Sequence, residues 1–367
     1  MSSNKNFWAI QEPHSRVKTE IATEYFYKWA NIMRQQDGDM SYLDLCSGRG
    51  YYEDGSRSTP LVVLDKISRD KELTRRVKTH FYEKVRWVYR DLEAAIKHHS
   101  VYSKLRYEPK INPMEIRQET VPSLPITEMT FTFIDPWGYK GISLSLLSRV
   151  VKDWGSDCLF YLSIDAVRRN IENPKGEMEI RSIFGDSGFE ELHRSKRNAS
   201  QKNPFHRSVI RQLTTAISSA TKQRIFVLPF AVECEGRRGI RHYLVFVTKN
   251  ATGFKWMKEY MSQHSLPSLD GEPLYYYRES GHSTEDLFNP QLQCLRERLL
   301  REFSGVTLQV SNLIDQCNEL AYLATIANLK AALLKLEANQ QILVLPREGK
   351  RRKAKTMADD LTIEFPR

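Results

Sequence analysis

An acid followed by two closely spaced glycines is the strongest chemical signal in the sequence. The segment 41–50 reads SYLDLCSGRG, in which an apolar strand ends at Asp44 and is followed by Gly48 and Gly50. Glycine lets the backbone turn sharply and approach a ligand where a Cβ atom would clash. The segment lacks the Gly-Lys-Ser/Thr of a phosphate loop and the third glycine of the dinucleotide fingerprint. We therefore predict that this glycine turn (44–50) forms a nucleotide-type pocket without a pyrophosphate cradle. The alternative is an ordinary tight strand-to-helix turn.

A second acid, Glu83, ends the next predicted strand, 78–83. An acid at this place can accept hydrogen bonds from both ribose hydroxyls of a nucleotide. It follows the glycine turn at more than the usual spacing of about 20 residues, because the loop 51–58 is long. Asp65 competes for this role, but it falls inside a predicted helix. We predict that Glu83 binds the cofactor; the alternative is a solvated acid at a strand end.

The residues Asp135, Pro136, Trp137 and Gly138 follow the apolar run MTFTFI. Carboxyl ends of parallel strands share one edge of an open α/β sheet, so we expect this group beside the glycine turn. It resembles the Asp-Pro-Pro-aromatic motif of amino-methyltransferases, with Trp137 at the second Pro and Gly138 at the aromatic position. There the acid orients a target amine for in-line attack on the methyl group of S-adenosylmethionine, a step that needs positioning and electrostatics. We predict that these four residues are catalytic; the alternative is a Pro-ended strand with a packed Trp.

Other polar and basic residues are weaker candidates. Ser163, Asp165, Arg168 and Arg169 follow the strand 157–163 and could line the same cleft. Two basic segments could contact phosphates, although such charge runs are usually solvated faces. The first contains Arg194, Lys196, Arg197, Lys202, Arg207 and Arg211. The second, which we predict to bind nucleic acid, contains Arg347, Lys350, Arg351, Arg352 and Lys353.

Alternating strands and helices would position these residues. Strands are predicted at 40–46, 78–83, 129–134 and 157–163, with one short strand near 114–118, and helices at 19–33, 60–69, 85–99 and 142–154. This alternation predicts an α/β fold, a Rossmann-like doubly wound sheet of the class I methyltransferase type. A hairpin from 225–232 and 242–248 would add an antiparallel edge.

The chain divides into two predicted domains. Residues 1–264 form the Rossmann-like domain, in which 171–205 is interpreted as an insertion or lid. Residues 265–290, rich in Gly, Pro and Ser, are interpreted as a linker. In 291–367, three helical segments (291–303, 308–321 and 325–338) followed by two short strands (343–345 and 361–365) predict a winged-helix domain whose basic wing is 346–358.

Composition narrows the classes of protein. The net charge of +10 favours a polyanionic partner such as nucleic acid. The five cysteines are scattered and never spaced as Cys-x-x-Cys, so we expect neither disulfides nor a metal site. No apolar run is long enough to span a bilayer, and the first residues lack a signal-peptide pattern. We therefore expect a cytoplasmic protein without a membrane partner.

The sequence resembles the three-Cys-motif partner proteins (TcmP), a bacterial family named for a neighbouring gene product with three cysteines. The matching segments are 14–18 (HSRVK), 42–55 (YLDLCSGRGYYEDG), 58–61 (STPL), 133–141 (FIDPWGYKG) and 244–249 (LVFVTK). The family pattern is Asp-Leu-Phe-Ala-Gly-Pro-Gly, so Cys46, Ser47 and Arg49 depart from it. The resemblance implies a methyltransferase-like domain, a three-Cys-motif protein as a partner, and a mobile-element or phage-defence locus. It leaves open whether Arg49 obstructs the cofactor site.

The leading hypothesis is an S-adenosylmethionine-dependent methyltransferase that acts on DNA or RNA. A second hypothesis is a catalytically inactive protein of methyltransferase fold that binds nucleic acid or a partner protein. A third is a nuclease or other phosphodiester enzyme, which no acid cluster with metal-ligand spacing supports.

Overall fold

A computed structural model describes residues 8–126, 129–136, 138–199, 205–233, 240–265, 275–278, 290–320, 322, 324–345, 353 and 356–366. The chain forms two compact units. The first comprises Met1–Gly253 and Tyr277–Glu279, and the second comprises Phe254–Tyr276 and Ser280–Arg367. Among the described helices, none combines the length and the apolar character needed to cross a lipid bilayer.

The first unit is built on one eight-stranded sheet. Along the sheet, the strands are β3 (Lys110–Asn112), β2 (Val77–Tyr82), β1 (Met40–Asp44), β4 (Thr130–Ile134), β5 (Asp157–Ser163), β7 (His242–Thr248), β6 (Phe226–Glu233) and β8 (Tyr275–Arg278). The four neighbouring pairs from β3 to β5 are parallel, whereas β7 is antiparallel to both β5 and β6. The prediction of a mixed α/β fold with a mostly parallel sheet and an antiparallel hairpin is confirmed.

Helices connect these strands. Those of the first unit are α1 (Pro13–Met33), α2 (Thr59–Ser68), α3 (Lys71–Arg76), α4 (Arg86–Lys97), α5 (Leu144–Val150), α6 (Ile164–Asn170), α7 (Pro174–Arg197) and α8 (Phe205–Thr221). Ser58 is the N-cap of α2 and Pro60 lies in its first turn, as the Ser-Thr-Pro signature predicts. Asp65 lies within α2, also as predicted.

Several predicted elements are wrong in detail. The short strand near 114–118 lies instead at Lys110–Asn112, between prolines at 109 and 113, and residues 118–123 form a 3₁₀ helix. The segment with weak periodicity at 171–205 contains the long helix α7, and the sequence reading missed α8. Gly185 interrupts α7 with φ 70°, ψ 173°, which breaks the helical period and explains why the pattern looked irregular.

Aromatic side chains hold α1 against the strands. The Phe26 ring lies 4.9 Å from Tyr42 of β1, and the Tyr25 ring lies 5.6 Å from Phe131 of β4. The Tyr25 hydroxyl donates to the buried Asp157 carboxylate at 2.7 Å, where burial raises the pKa of Asp157 to about 6. These contacts fix the helix across the sheet, and thereby fix the side chains of its N-terminal turns.

The second unit has its own hydrophobic core. It contains most of α9 (Ala251–Gln263), then α10 (Pro290–Glu302), β9 (Thr307–Gln309), α11 (Val310–Glu319), α12 (Ile326–Ala338), β10 (Leu343–Leu345) and β11 (Thr362–Glu364). The three strands form an antiparallel sheet in the order β10-β11-β9. The sequence reading assigned Leu308 and Gln309 to a helix, but they belong to β9. Buried Lys258 of α9 donates to Asn318 Oδ1 at 2.7 Å and to the carbonyls of Tyr322 and Ala324.

Candidate functional site

Three predicted acids meet at one edge of the sheet. The strand register pairs Asp44 with Phe81 of β2 and with Phe133 of β4. Glu83 and Asp135 each lie two residues beyond those partners, so both follow strand ends next to Asp44. A cavity of about 400 Å³ lies at this edge, and Asp44, Gly48, Glu83, Asp135 and Pro136 all line it. We call it the first cavity; its volume is typical of small-molecule sites.

The two glycines of the turn have different structural roles. Both lie in the left-handed region, Gly48 at φ 69° and Gly50 at φ 57°. A Cβ atom on Gly48 would lie 2.9 Å from the Trp8 ring, inside the first cavity. A Cβ atom on Gly50 would lie 2.7 Å from the Cβ atom of Ala95 in α4. Gly48 therefore keeps the cavity open, whereas Gly50 lets α4 pack against the turn.

Hydrogen bonds tie Glu83 to the glycine turn. The Gly48 amide donates to Glu83 Oε2 at 3.1 Å, and the Val85 amide donates to Oε1 at 2.8 Å. Ser47 strengthens the same junction, because its amide donates to the Tyr82 carbonyl and its Oγ accepts from the Tyr82 amide. Ser47 departs from the family pattern, but it serves to join β1 to β2.

The Asp44 carboxylate is buried and only half satisfied. Its Oδ1 atom accepts from the Cys46 amide at 3.2 Å, while Oδ2 has no hydrogen-bond partner among the described residues. Burial, with smaller effects of the nearby Asp135 and Glu83 carboxylates, raises the pKa of Asp44 to about 8, although the Cys46 hydrogen bond lowers it. A cationic ligand in the first cavity would relieve the repulsion among these carboxylates.

The remaining charges of the first cavity leave an anionic surface beside the glycine turn. Lys18 pairs with Asp135 at 2.6 Å, and Lys84 pairs with Glu115 at 2.8 Å. Lys140 lies with Asp135 in the lining that the first cavity shares with a second, adjoining cavity. Neither Asp44 nor Glu83 forms an ion pair with any cation that the structure describes. The glycine side of the cavity therefore favours a cation and disfavours a pyrophosphate.

Aromatic side chains cover the first cavity, and sequence reasoning missed them. The Trp8 ring lies 5.8 Å from Tyr52 and 6.5 Å from Trp87, and all three line the cavity. Arg49 does not obstruct it, because its Nε donates to Asp91 at 2.7 Å and its guanidinium lies over the Trp87 ring. The sequence did offer a signal for these aromatic walls, since one tryptophan (Trp8) precedes the glycine turn and another (Trp87) follows it.

A second cavity of about 670 Å³ adjoins the first. The two share Ser15, Lys18, Asp135, Pro136 and Lys140 in their linings. Gly138 lines only the second cavity; its carbonyl accepts from the Ser163 amide at 3.0 Å, which fixes the turn after β4 to the end of β5. Trp137 lies outside the described residues. Asp135 thus stands where a ligand in one cavity would face a ligand in the other.

Lys18 of α1 is the residue that holds Asp135. Its ammonium is buried, donates to Asp135 Oδ2 at 2.6 Å and lies 4.0 Å from the centre of the Tyr161 ring. The His242 ring stacks on the same Tyr161 ring at a centroid distance of 5.0 Å, and burial lowers the pKa of His242 to about 4. Lys18 belongs to the segment 14–18, but sequence spacing could not predict its pairing because Asp135 lies 117 positions away.

The weaker candidates separate in the structure. Ser163 and Arg169 line the second cavity, whereas Asp165 pairs with Arg241 and Arg168 lies over the Phe205 ring. In the first basic segment, Arg194 and Arg211 pair with Glu191, and Lys196 pairs with Glu172. These ion pairs favour the interpretation of the first basic segment as a solvated face rather than a phosphate-binding surface. Of the predicted wing residues, Lys353 is exposed, and Arg347, Lys350, Arg351 and Arg352 lie outside the described residues.

Comparisons with known proteins add weak similarities. No protein-family model matches the chain, and no curated protein matches it in sequence. Membership of the three-Cys-motif partner family therefore stays a prediction. Similar solved structures include a Legionella pneumophila protein (10% identity, 63% of this chain and 84% of that one, TM-score 0.38). The plantazolicin methyltransferase in complex with SAH is another, with 12% identity over 64% of this chain and 86% of that one and a TM-score of 0.34. A third is an S-adenosylmethionine-dependent O-methyltransferase from Thermotoga maritima, with 10% identity over 61% of this chain and 64% of that one and a TM-score of 0.29.

Proposed function

We propose that the first unit is an S-adenosylmethionine-dependent methyltransferase. The observation that carries this proposal is the Asp44 carboxyl, which lines the first cavity beside Glu83 and whose buried Oδ2 atom lacks a hydrogen-bond partner among the described residues. A buried, unpaired carboxylate is costly, and a cationic ligand offsets that cost. S-adenosylmethionine carries a sulfonium and an ammonium group. NAD and ATP carry phosphates, which two carboxylates would repel.

The residues of the first cavity fit this cofactor. Asp44 would accept from the ammonium group, and the backbone at Gly48 would approach the amino-acid part. Each Glu83 oxygen accepts one backbone N–H and keeps a second lone pair for a ribose hydroxyl. Trp8 and Trp87 would supply apolar walls for the base. The parallel sheet with its antiparallel hairpin supports the same proposal.

The junction of the two cavities supports methyl transfer to an acceptor. When bound, S-adenosylmethionine supplies a methyl group on a positively charged sulfur. Lys18 fixes the Asp135 carboxylate through Oδ2, which leaves Oδ1 for a hydrogen bond from an acceptor N–H or O–H group. Pro136 and Gly138 shape the turn that presents this carboxylate. These residues position the acceptor and stabilise charge, which is the help that an in-line displacement requires.

We propose nucleic acid as the acceptor class, gripped by the second unit. The order α10, β9, α11, α12, β10, β11 with a three-stranded antiparallel sheet is typical of a winged helix. The predicted wing, 346–358, joins β10 to β11. Neutralising Arg351, Arg352 and Lys353 should weaken nucleic-acid binding and flatten its salt dependence. An unchanged salt slope contradicts the role of the wing.

A three-Cys-motif protein is the proposed protein partner, which co-purification tests.

Calorimetry tests the cofactor assignment. The full chain is titrated with S-adenosylmethionine and S-adenosylhomocysteine at pH 8, where Asp44 is substantially ionised, and with NAD⁺ as the control nucleotide. We expect binding of the two sulfur nucleosides and none of NAD⁺. The absence of both heat and thermal shift at millimolar S-adenosylmethionine would overturn the proposal.

A catalytically inactive, cofactor-binding protein is the second candidate. The specific observation in its favour is that Lys18 already occupies one oxygen of the acid predicted to contact the acceptor. Methyl-tritiated S-adenosylmethionine is incubated with the protein and total bacterial nucleic acid. Cofactor binding without transfer of tritium to DNA or RNA supports this second candidate, and transfer of tritium excludes it.

A further inference from the structure

The second cavity carries cations that the methyl-transfer chemistry does not use. Lys140, Arg169 and Lys175 line it and are exposed. None of the three forms an ion pair with a carboxylate in the part of the chain that the structure describes. By contrast, Arg181, two turns further along α7 than Lys175, is held by three carboxylates of Glu177, Asp186 and Glu190.

The acids of the second cavity do not neutralise these cations. Asp135 is paired with Lys18. Burial, and after it the nearby Glu179 carboxylate, raises the pKa of Tyr139 to about 12, so Glu179 lies close to the Tyr139 hydroxyl. Three unpaired cations therefore face one further carboxylate in a cavity of about 670 Å³. Such a cavity attracts an anion, and its volume admits a group as large as a nucleotide.

We propose that the second cavity binds a phosphate of a nucleic-acid acceptor through Arg169, Lys175 and Lys140. The acceptor would then lie with its phosphate on these cations and its reacting group at Asp135, which both cavities share. The chain's net charge of +10 favours a polyanion over an isolated phosphate ester. This inference deepens the proposed function and rests on it for the place of the methyl group.

The test compares two double variants that lose the same charge. Arg169→Gln/Lys175→Gln removes two cations of the second cavity, neither of which lines the first. Arg69→Gln/Lys71→Gln removes two exposed cations near α3, which line neither cavity. The probes are a fluorescent 12-nucleotide single-stranded DNA, the RNA of the same sequence, and a methylphosphonate DNA with an uncharged backbone. Binding is followed by anisotropy from 50 to 300 mM salt, and calorimetry with S-adenosylmethionine accompanies each variant.

We expect the cavity variant to bind the charged oligonucleotides at least about tenfold more weakly, with a salt slope smaller by about 1.4 for two lost single-strand phosphate contacts. The control variant should bind the charged oligonucleotides about as tightly as wild type does. The methylphosphonate probe should have nearly the same affinity for all of these proteins. Adding Lys140→Gln should weaken binding further.

Equal oligonucleotide affinity of the cavity and control variants would overturn the inference while leaving cofactor binding, and hence the proposed function, intact. Tighter binding of a phosphoserine peptide than of either oligonucleotide would overturn the choice of nucleic acid. If wild type fails to bind S-adenosylmethionine but the cavity variant still loses oligonucleotide affinity, the proposed function fails and the phosphate site stands.

Discussion

The two adjoining cavities have opposite electrostatic character although they share Lys18 and Asp135. The first presents the unpaired carboxylates of Asp44 and Glu83 beside the glycine turn. The second presents Arg169 and Lys175 without paired carboxylates among the described residues. A cation is therefore favoured on one side of Asp135 and an anion on the other. This asymmetry would distinguish the proposed positively charged cofactor from the proposed negatively charged acceptor before either makes a specific hydrogen bond.

The largest expected effect is at the shared residue. Asp135→Asn keeps the shape of the side chain but removes the charge that faces the acceptor. We expect methyl transfer from tritiated S-adenosylmethionine to fall by about 100-fold or more, the usual cost of losing a charged transition-state contact. Calorimetry should show cofactor affinity changed less than about threefold, because the contact that binds the ammonium lies at Asp44. Activity equal to wild type would remove Asp135 from the reaction.

Asp44→Asn tests the anionic character of the first cavity. We expect S-adenosylmethionine to bind about 10- to 100-fold more weakly, since a hydrogen bond to a charged group contributes roughly 1.5–3 kcal/mol. In wild type, the ionised carboxylate is the binding form. Because the pKa of Asp44 is about 8, affinity should rise by up to tenfold per unit from pH 6 toward pH 8, and should fall at higher pH as the α-ammonium group of the cofactor loses its proton.

The same variant has a predictable effect on stability. A carboxyl whose pKa is higher in the folded than in the unfolded chain stabilises the fold at low pH and progressively loses that contribution as pH rises toward 8. Asp44→Asn should therefore raise the unfolding temperature relative to wild type at pH 8 and change it least at pH 4. Melting curves at the two pH values check this, and an equal shift at both would contradict the raised pKa.

Gly50→Ala tests the framework of the first cavity. The new methyl group would meet Ala95 of α4 in a backbone conformation that disfavours alanine, so we expect a loss of about 2–4 kcal/mol in the free energy of unfolding. Gly55→Ala is the matched control, with φ 83° and no atom within 4 Å of the added Cβ, and should cost only about 1–2 kcal/mol. Urea titration measures both. Equal losses would mean that the contact with α4 is unimportant.

Trp8→Leu should have the smallest effect. It removes an aromatic wall that contacts Gly48, so we expect cofactor affinity to fall by a few-fold, in keeping with about 1 kcal/mol for an aromatic contact. Oligonucleotide affinity should not change, because Trp8 lines only the first cavity. A larger loss for the oligonucleotide than for the cofactor would contradict the division of the two cavities.

The sequence predicted the part of the site that depends on strand ends. Asp44 ends β1, Glu83 and Asp135 directly follow β2 and β4, and parallel strands carry their carboxyl ends to one edge. Lys18 and Trp8 were not predicted as site residues, because their contacts depend on how α1 and the residues before it pack against the sheet. Sequence spacing carries no information about that packing. The same holds for β3, whose three residues are too few for a periodic pattern and lie between prolines.

If Asp135 acts as proposed, its pairing with Lys18 makes the first helix part of the reacting site. A fragment beginning at Met40 would keep the strand that leads into the glycine turn, but it would leave the carboxylate between the two cavities without its counter-ion. Domain dissection of this protein must therefore retain α1, and a shortened sheet domain that folds and binds nucleoside is not a faithful measure of its catalytic competence.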